Sequence, residues 1–237
     1  MAFLRSLAFA VALIVITPPY SIIALATFAL PPLARYRIIS GWSWAVMALA
    51  RILLGIRFRV RGREHLPDRP AIILSKHQSA WETMAFQIIF PPHVHVLKRE
   101  LLRIPFFGWG LALMSPIAID RGRGRLSLKR MAEQGARRLE RGFSIVIFPE
   151  GTRIAPGKRG KYHLGGAWIA TRTGAPVVPV AHNAGLYWGR NAFIKRPGLV
   201  TVEIGEPIDS ARLTPEALTA KVEEWIETRM KELCPKE

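Results

Sequence analysis

The chain has 237 residues, half of them hydrophobic, which is enough for one substantial domain and too apolar for a disordered polymer. Lys and Arg outnumber Asp and Glu by 34 to 17, a formal +17, so the surface is drawn to polyanions: anionic lipid, nucleic acid, phosphorylated substrates or acidic proteins. One cysteine, Cys234, excludes an internal disulfide framework and any CxxC metal site, and makes a reducing, cytoplasmic setting the expectation.

Residues 6–34 carry no charge and are bracketed by Arg5 and Arg35, a length that could span a bilayer. Pro18-Pro19 divides the stretch into two apolar halves. A cleaved signal peptide with a site at Ala24-Leu25-Ala26, a kinked spanning helix and a helical hairpin in one leaflet are the three readings. The absence of a disulfide framework and a second apolar segment oppose the first, and the central prolines favour the hairpin. Uncleaved membrane attachment is the expectation, with spanning and embedding both open. Ile38 to Ile56 is again mostly apolar, with Arg51 its only charge. Trp42 and Trp44 suit the headgroup level, and an ordinary buried helix fits as well.

The texture changes at Arg57, which divides an N-terminal membrane-associated helical segment, 1–56, from a domain over 57–237. Residues 57–61 alternate with the period of a half-exposed strand. Ala71 to Ser75 reads as a buried strand, and the helix after His77 ends at Pro91-Pro92. Val94 to Leu97 and Ile117 to Ile119 are short strands, with an aromatic, turn-rich Pro105 to Gly110 between them. Leu126 to Arg141 has helical spacing and a basic outer face. Ser144 to Phe148 is a buried strand, Gly166 to Thr173 a helix, and Leu199 to Ile204 an alternating strand. Val177 to Val180 is a strand whose Pro179 indicates an edge or a bulge. Thr214-Pro215 opens a C-terminal helix, Thr as cap and Pro at the first position. The alternation predicts an α/β fold, a mixed, largely parallel sheet flanked by helices behind an apolar helical attachment segment. His93 and His95 can share one face of a strand, but no third ligand accompanies them, and no metal is expected.

Two stretches carry chemistry. In Lys76-His77-Gln78-Ser79-Ala80-Trp81-Glu82 a histidine leaves a buried strand and a carboxylate follows five positions later. On a regular helix such residues point roughly 140° apart. They meet only if His77 lies in the strand-to-helix turn and Glu82 in the first helical turn. Ser79 to Glu82 also matches a capping box, so Glu82 satisfying a backbone N–H is the plainer alternative. In Phe148-Pro149-Glu150-Gly151-Thr152-Arg153 a buried strand ends in carboxylate, glycine, hydroxyl and guanidinium. Gly151 lets the backbone approach a ligand, and Arg153 offers a donor fork that matches phosphate. A tight turn with a solvated arginine is the alternative there.

Four blocks in order resemble the glycerolipid acyltransferase family: His77 to Glu82, Pro116 to Arg121, Phe148 to Arg153 and Val177 to Val180. Lys98 to Trp109 is similar to it too, and the resemblance covers roughly Arg57 to Ile208. Two positions depart from the family pattern: Glu82 stands for the usual Asp, and Gly165-Gly166-Ala167 for a frequent Lys-Gly-Ala. The resemblance implies transfer of a fatty acyl group from acyl-CoA or acyl carrier protein to the 2-hydroxyl of 1-acyl-glycerol-3-phosphate, giving phosphatidic acid for phospholipid biosynthesis. It makes His77 the general base and Glu82 its orienting partner. Lys98, Arg121 and Arg153 would hold the acceptor's phosphate and Glu150 its glycerol end, beside Gly151 and Thr152. Backbone N–H groups near Gly151 are the expected oxyanion donors. Direct attack by the acceptor is expected rather than an acyl-enzyme on Ser79. The basic helix could hold anionic headgroups or dock acyl carrier protein. The thioester is a co-substrate, and no cofactor is implied. The implied place is the inner (cytoplasmic) membrane, in contact with phospholipid, with the catalytic domain facing the cytoplasm. Another lysolipid acceptor, such as a lyso-aminolipid, or an inactive membrane scaffold are the rival readings. Nucleic-acid binding rests on charge alone and is not expected.

Overall fold

The computed structural model describes residues 1–90, 92–119 and 124–235, without the side chains of 124–127. Seven strands form one sheet in the order β1-β7-β6-β2-β5-β3-β4: β1 (Ile56–Arg61), β2 (Ile72–Ser75), β3 (His93–Lys98), β4 (Ile117–Ile119), β5 (Ser144–Ile147), β6 (Val177–His182) and β7 (Gly198–Ile204). Every neighbouring pair is parallel except β6 with β7. Strand β2 is central, and its four residues are buried on both faces, as their continuous apolar run requires.

Alternation along the strands builds two cores. Ile72, Leu74, Ile145 and Ile147 point to one, with Met131 of α6 (Gly124–Glu140), Ile169 of α7 (Gly165–Thr173) and Leu218, Val222, Ile226 and Met230 of α8 (Pro215–Leu233). That four-residue spacing is the buried stripe of a surface helix. Thr214 caps α8, its Oγ1 accepting the Ala217 N–H at 3.2 Å, with Pro215 at the first position. Ile73, Val146 and Val178 point to the other core, with Trp81, Ala85, Phe86 and Ile89 of α4 (Trp81–Ile89). The helix after β2 thus covers one face and the helix after β5 the other, so the chain leaves these adjacent strands in opposite directions. Such a switch point opens a crevice at the strands' carboxyl ends. Both chemistry-bearing stretches begin there.

Pro179 lies in an interior strand, at a bulge. The β6–β7 pairing of Val180 with Ile204 gives way to a Val177–Ile208 bridge, one residue out of step, and the missing N–H of Pro179 falls at this interruption. The aromatic stretch expected as turn becomes α5 (Phe107–Leu113). At the N-terminus α1 (Ala2–Ala26) runs unbroken through Pro18 and Pro19, so the expected break at the prolines is not where the chain reverses. Reversal comes after Thr27, before α2 (Pro32–Ile39) and α3 (Gly41–Leu49). Tertiary contacts offset the two lost helix bonds: Thr17 Oγ1 accepts from Trp42 Nε1 at 3.3 Å and Tyr20 Oη donates to Ile38 O at 2.9 Å. Ala2–Ala26 and Pro32–Leu54 are both long and apolar enough to cross a membrane, with mean hydropathy 2.1 and 1.3. Outward-facing Leu4, Ile14 and Ile22 leave α1 with an apolar face that the described residues do not cover.

Candidate active site

Two residues past β2, His77 and Glu82 meet: Nδ1 of the imidazole lies 2.8 Å from Glu82 Oε1. The same oxygen accepts the N–H groups of Gln78 at 2.8 Å and Ser79 at 2.7 Å. Ser79 Oγ accepts the Trp81 N–H at 3.1 Å, and α4 starts at Trp81. Capping and histidine orientation are therefore not alternatives; one carboxylate oxygen does both. Burial would raise the Glu82 carboxyl, but His182, His77 and the Ser79 N–H outweigh it and hold the group below the usual carboxylate range. Glu82 is thus an anion at neutral pH. With Nδ1 turned to this acceptor, Nε2 is the nitrogen left for a reacting group. The imidazole lies flat against Phe148, ring centroids 4.0 Å apart and planes 16° apart.

His77 lines a cavity of about 1040 Å³ that reaches from the strand ends to the N-terminal helices. That is the upper end of the ~300–1,000 Å³ common for ligand pockets. Its wall is apolar along α1, α3 and α5, where Leu13, Ala24, Trp42, Phe107, Leu111 and Met114 contribute. Beside His77, whose O accepts the Ile154 N–H, the lining is polar and basic, with Thr152, Arg153 and Arg190, and Lys98 lines the cavity as well. Gly151 lines it too, with a left-handed φ of 66° that favours glycine.

Of the expected site residues, His77, Lys98, Gly151, Thr152 and Arg153 share this one cavity, and Glu82 stands directly behind His77. Glu150 does not face the cavity as expected. It is 4% exposed, with Oε1 bonded to Lys76 Nζ at 2.7 Å and the Gly160 N–H at 3.2 Å, and Oε2 to the His77 N–H at 3.0 Å. Burial raises its pKa against the pull of Lys76. Nor is the Gly151 N–H a free oxyanion donor, because the turn uses it on Phe148 O at 2.9 Å. Arg121 lies outside the described residues. Gly166 has a packing reason of its own: a Cβ there would come 2.5 Å from the Leu74 side chain, so α7 crosses β2 at glycine distance.

Sequence reasoning overlooked Arg190, whose Nη1 donates to Arg153 O at 3.0 Å. It also gave Lys76 no role, although a cation between a buried strand and His77 was a signal. His95 lines the cavity as well, with Nε2 at 3.2 Å from Thr83 O, and burial lowers its pKa to about 4, so the ring is neutral.

Known proteins share this fold and this family. The family model described as Acyltransferase matches residues 57–183. The 1-acyl-sn-glycerol-3-phosphate acyltransferase of Pseudomonas aeruginosa is 47% identical over 210 residues, covering 87% of this chain and 82% of that one. The human 1-acyl-sn-glycerol-3-phosphate acyltransferase beta is 31% identical, covering 76% of this chain and 66% of its own. The crystal structure of the Thermotoga maritima 1-acyl-sn-glycerophosphate acyltransferase PlsC superposes with a TM-score of 0.82 at 24% identity, over 99% of this chain and 96% of the other, and shows the same fold. The chain belongs to the acyltransferase family and is an O-acyltransferase.

Proposed function

We propose that the protein transfers a fatty acyl group from a thioester, acyl-CoA or acyl carrier protein, to the 2-hydroxyl of 1-acyl-sn-glycerol-3-phosphate, giving phosphatidic acid. One observation carries the reading. A histidine pinned by a buried carboxylate stands where an apolar cavity meets a basic rim, as an acceptor with one acyl chain and one phosphate requires. Relatives named for this acceptor support the choice of lysolipid.

In the reaction His77 Nε2 takes the hydroxyl proton as the oxygen attacks the thioester carbonyl. The C–O bond forms, the C–S bond breaks, and the imidazolium returns its proton to the leaving thiolate. Glu82 stabilises the imidazolium and holds the tautomer, the logic of a Ser-His-Asp triad with the substrate's alcohol in place of serine. Ser79 is wholly buried, does not line the cavity and uses its Oγ on the Trp81 N–H, which favours direct attack over an acyl-enzyme. Arg153, Lys98 and Arg190 are the phosphate's partners in this reading, and Glu150 acts from behind the wall.

The uncovered apolar face of α1 supports membrane association, and the basic surface suits anionic lipid. The protein belongs, in this reading, to the inner membrane with its catalytic domain towards the cytoplasm, where acyl thioesters are available. The test is acyl transfer by purified protein with a panel of lysolipids and both donors. Turnover with lysophosphatidic acid is expected; turnover with a lyso-aminolipid alone overturns the acceptor.

A further inference from the structure

Lys76 precedes His77 and is 0% exposed. Its ammonium reaches three acceptors from three segments: Glu150 Oε1 at 2.7 Å, Glu227 Oε1 of α8 at 2.8 Å and Lys158 O at 3.2 Å. An ammonium has three N–H donors, so this set completes it. Tyr162 Oη adds a bond to the same Glu227 oxygen at 2.9 Å. Around this hub the main chain of residues 76 and 77 has every polar group engaged. Lys76 N donates to Val180 O at 3.0 Å, and Lys76 O accepts from His182 Nε2 at 2.9 Å. His77 N donates to Glu150 Oε2, and His77 O accepts from Ile154 N at 2.8 Å. Only one of these four partners is a carboxylate, and that carboxylate is the one Lys76 holds.

We propose that Lys76 is a positioning residue: one buried ammonium keeps Glu150 and Glu227 together, Glu150 thereby fixes the main chain of His77, and α8 becomes part of the catalytic apparatus. The family match ends at residue 183, so Glu227 lies outside it. Without Lys76 the buried carboxylate of Glu150 and the half-buried one of Glu227 face each other with no cation between them. Like charges in a poorly solvated site separate or take up a proton. Either response loosens Glu150 from the His77 N–H and moves the imidazole relative to the cavity. The inference rests on His77 being the base.

The experiment compares Lys76→Met, Glu227→Gln and the double variant as full-length proteins in membranes, with kcat and KM measured per folded molecule. Lys76→Met is expected to lower kcat on the order of a hundredfold with KM within about threefold, as for misplacement of a catalytic group. Adding Glu227→Gln to Lys76→Met removes the repulsion and is expected to restore at least tenfold of the lost kcat. A substrate-binding role for Lys76 would instead raise KM and give no rescue. A purely structural role would lower the folded fraction and leave kcat unchanged. Either result overturns the proposal. Should Lys76→Met not fold, the double variant is compared with wild type: kcat within tenfold supports the proposal, and loss equal to that of His77→Ala overturns it. All variants are assayed on the lysolipid the wild type accepts, so a wrong acceptor assignment leaves this test standing.

Discussion

At the turn after β2, four main-chain groups of residues 76 and 77 are all bonded within the protein, and one carboxylate oxygen of Glu82 accepts three donors. Along α1 the reverse holds: Phe9 and Ala24 are buried against the domain, whereas Ile14 is 70% and Ile22 64% exposed. The first region is finished by its own chain. The second is left apolar and open, and in the proposed reading its other half is lipid. Geometry must be exact to a fraction of an ångström where a proton moves, and only an over-determined hydrogen-bond set supplies that. Attachment to a bilayer needs apolar area and tolerates rotation and depth changes.

The largest break in this contrast is at the turn itself. His77→Ala is expected to lower kcat by about a thousandfold, within the range for a lost general base, while the thermal midpoint in detergent stays near wild type. An acyl-transfer assay on the folded variant decides it, and retained activity would falsify His77 as the base. Next in size is a pH effect. Burial holds His95 at about 4, below its ordinary value, so the folded state keeps it neutral while the unfolded chain binds a proton below about 6.5. The stability is therefore whole above that pH and is lost as pH falls towards 4, by on the order of 3 kcal/mol. His182, also lowered by burial, acts in the same direction. A His95→Gln variant should show a shallower fall of the thermal midpoint between those pH values; an equal slope would refute the assignment. Smallest is the apolar face. Ile14→Glu with Ile22→Glu should weaken sedimentation with anionic vesicles by about tenfold and leave detergent stability within ~0.5 kcal/mol. Unchanged sedimentation would mean that this face does not meet lipid.

Much of the site was legible because its signals are local. The apolar run before His77, the cap after it and the glycine of Gly151 each follow from a few neighbouring residues. The two proline positions were legible only in part. Pro179 indicated an edge or a bulge, since a strand cannot hide a missing donor, and the interior place of β6 leaves the bulge. Pro18-Pro19 suggested a reversal that packing of Thr17 and Tyr20 on the following helices removes. Least visible were partnerships across long separations. Glu227 is 151 residues from Lys76, and nothing in its helical neighbourhood distinguishes it from a solvated glutamate. Glu150 was recognised as important but assigned to the substrate, because sequence shows that a carboxylate follows a strand and not which way it turns.

The stacking of Phe148 on His77 closes one side of the imidazole. The Nε2 lone pair lies in the ring plane, so in the proposed reaction the acceptor's hydroxyl arrives along that plane, with the rest of the acceptor on the face that Phe148 leaves open. A glycerol carbon bearing that hydroxyl has a handedness, and a site with a single open side distinguishes mirror-image acceptors through their route of approach. In that reaction stereochemical choice belongs to the phenyl ring beneath the base as much as to the cations proposed to hold the phosphate.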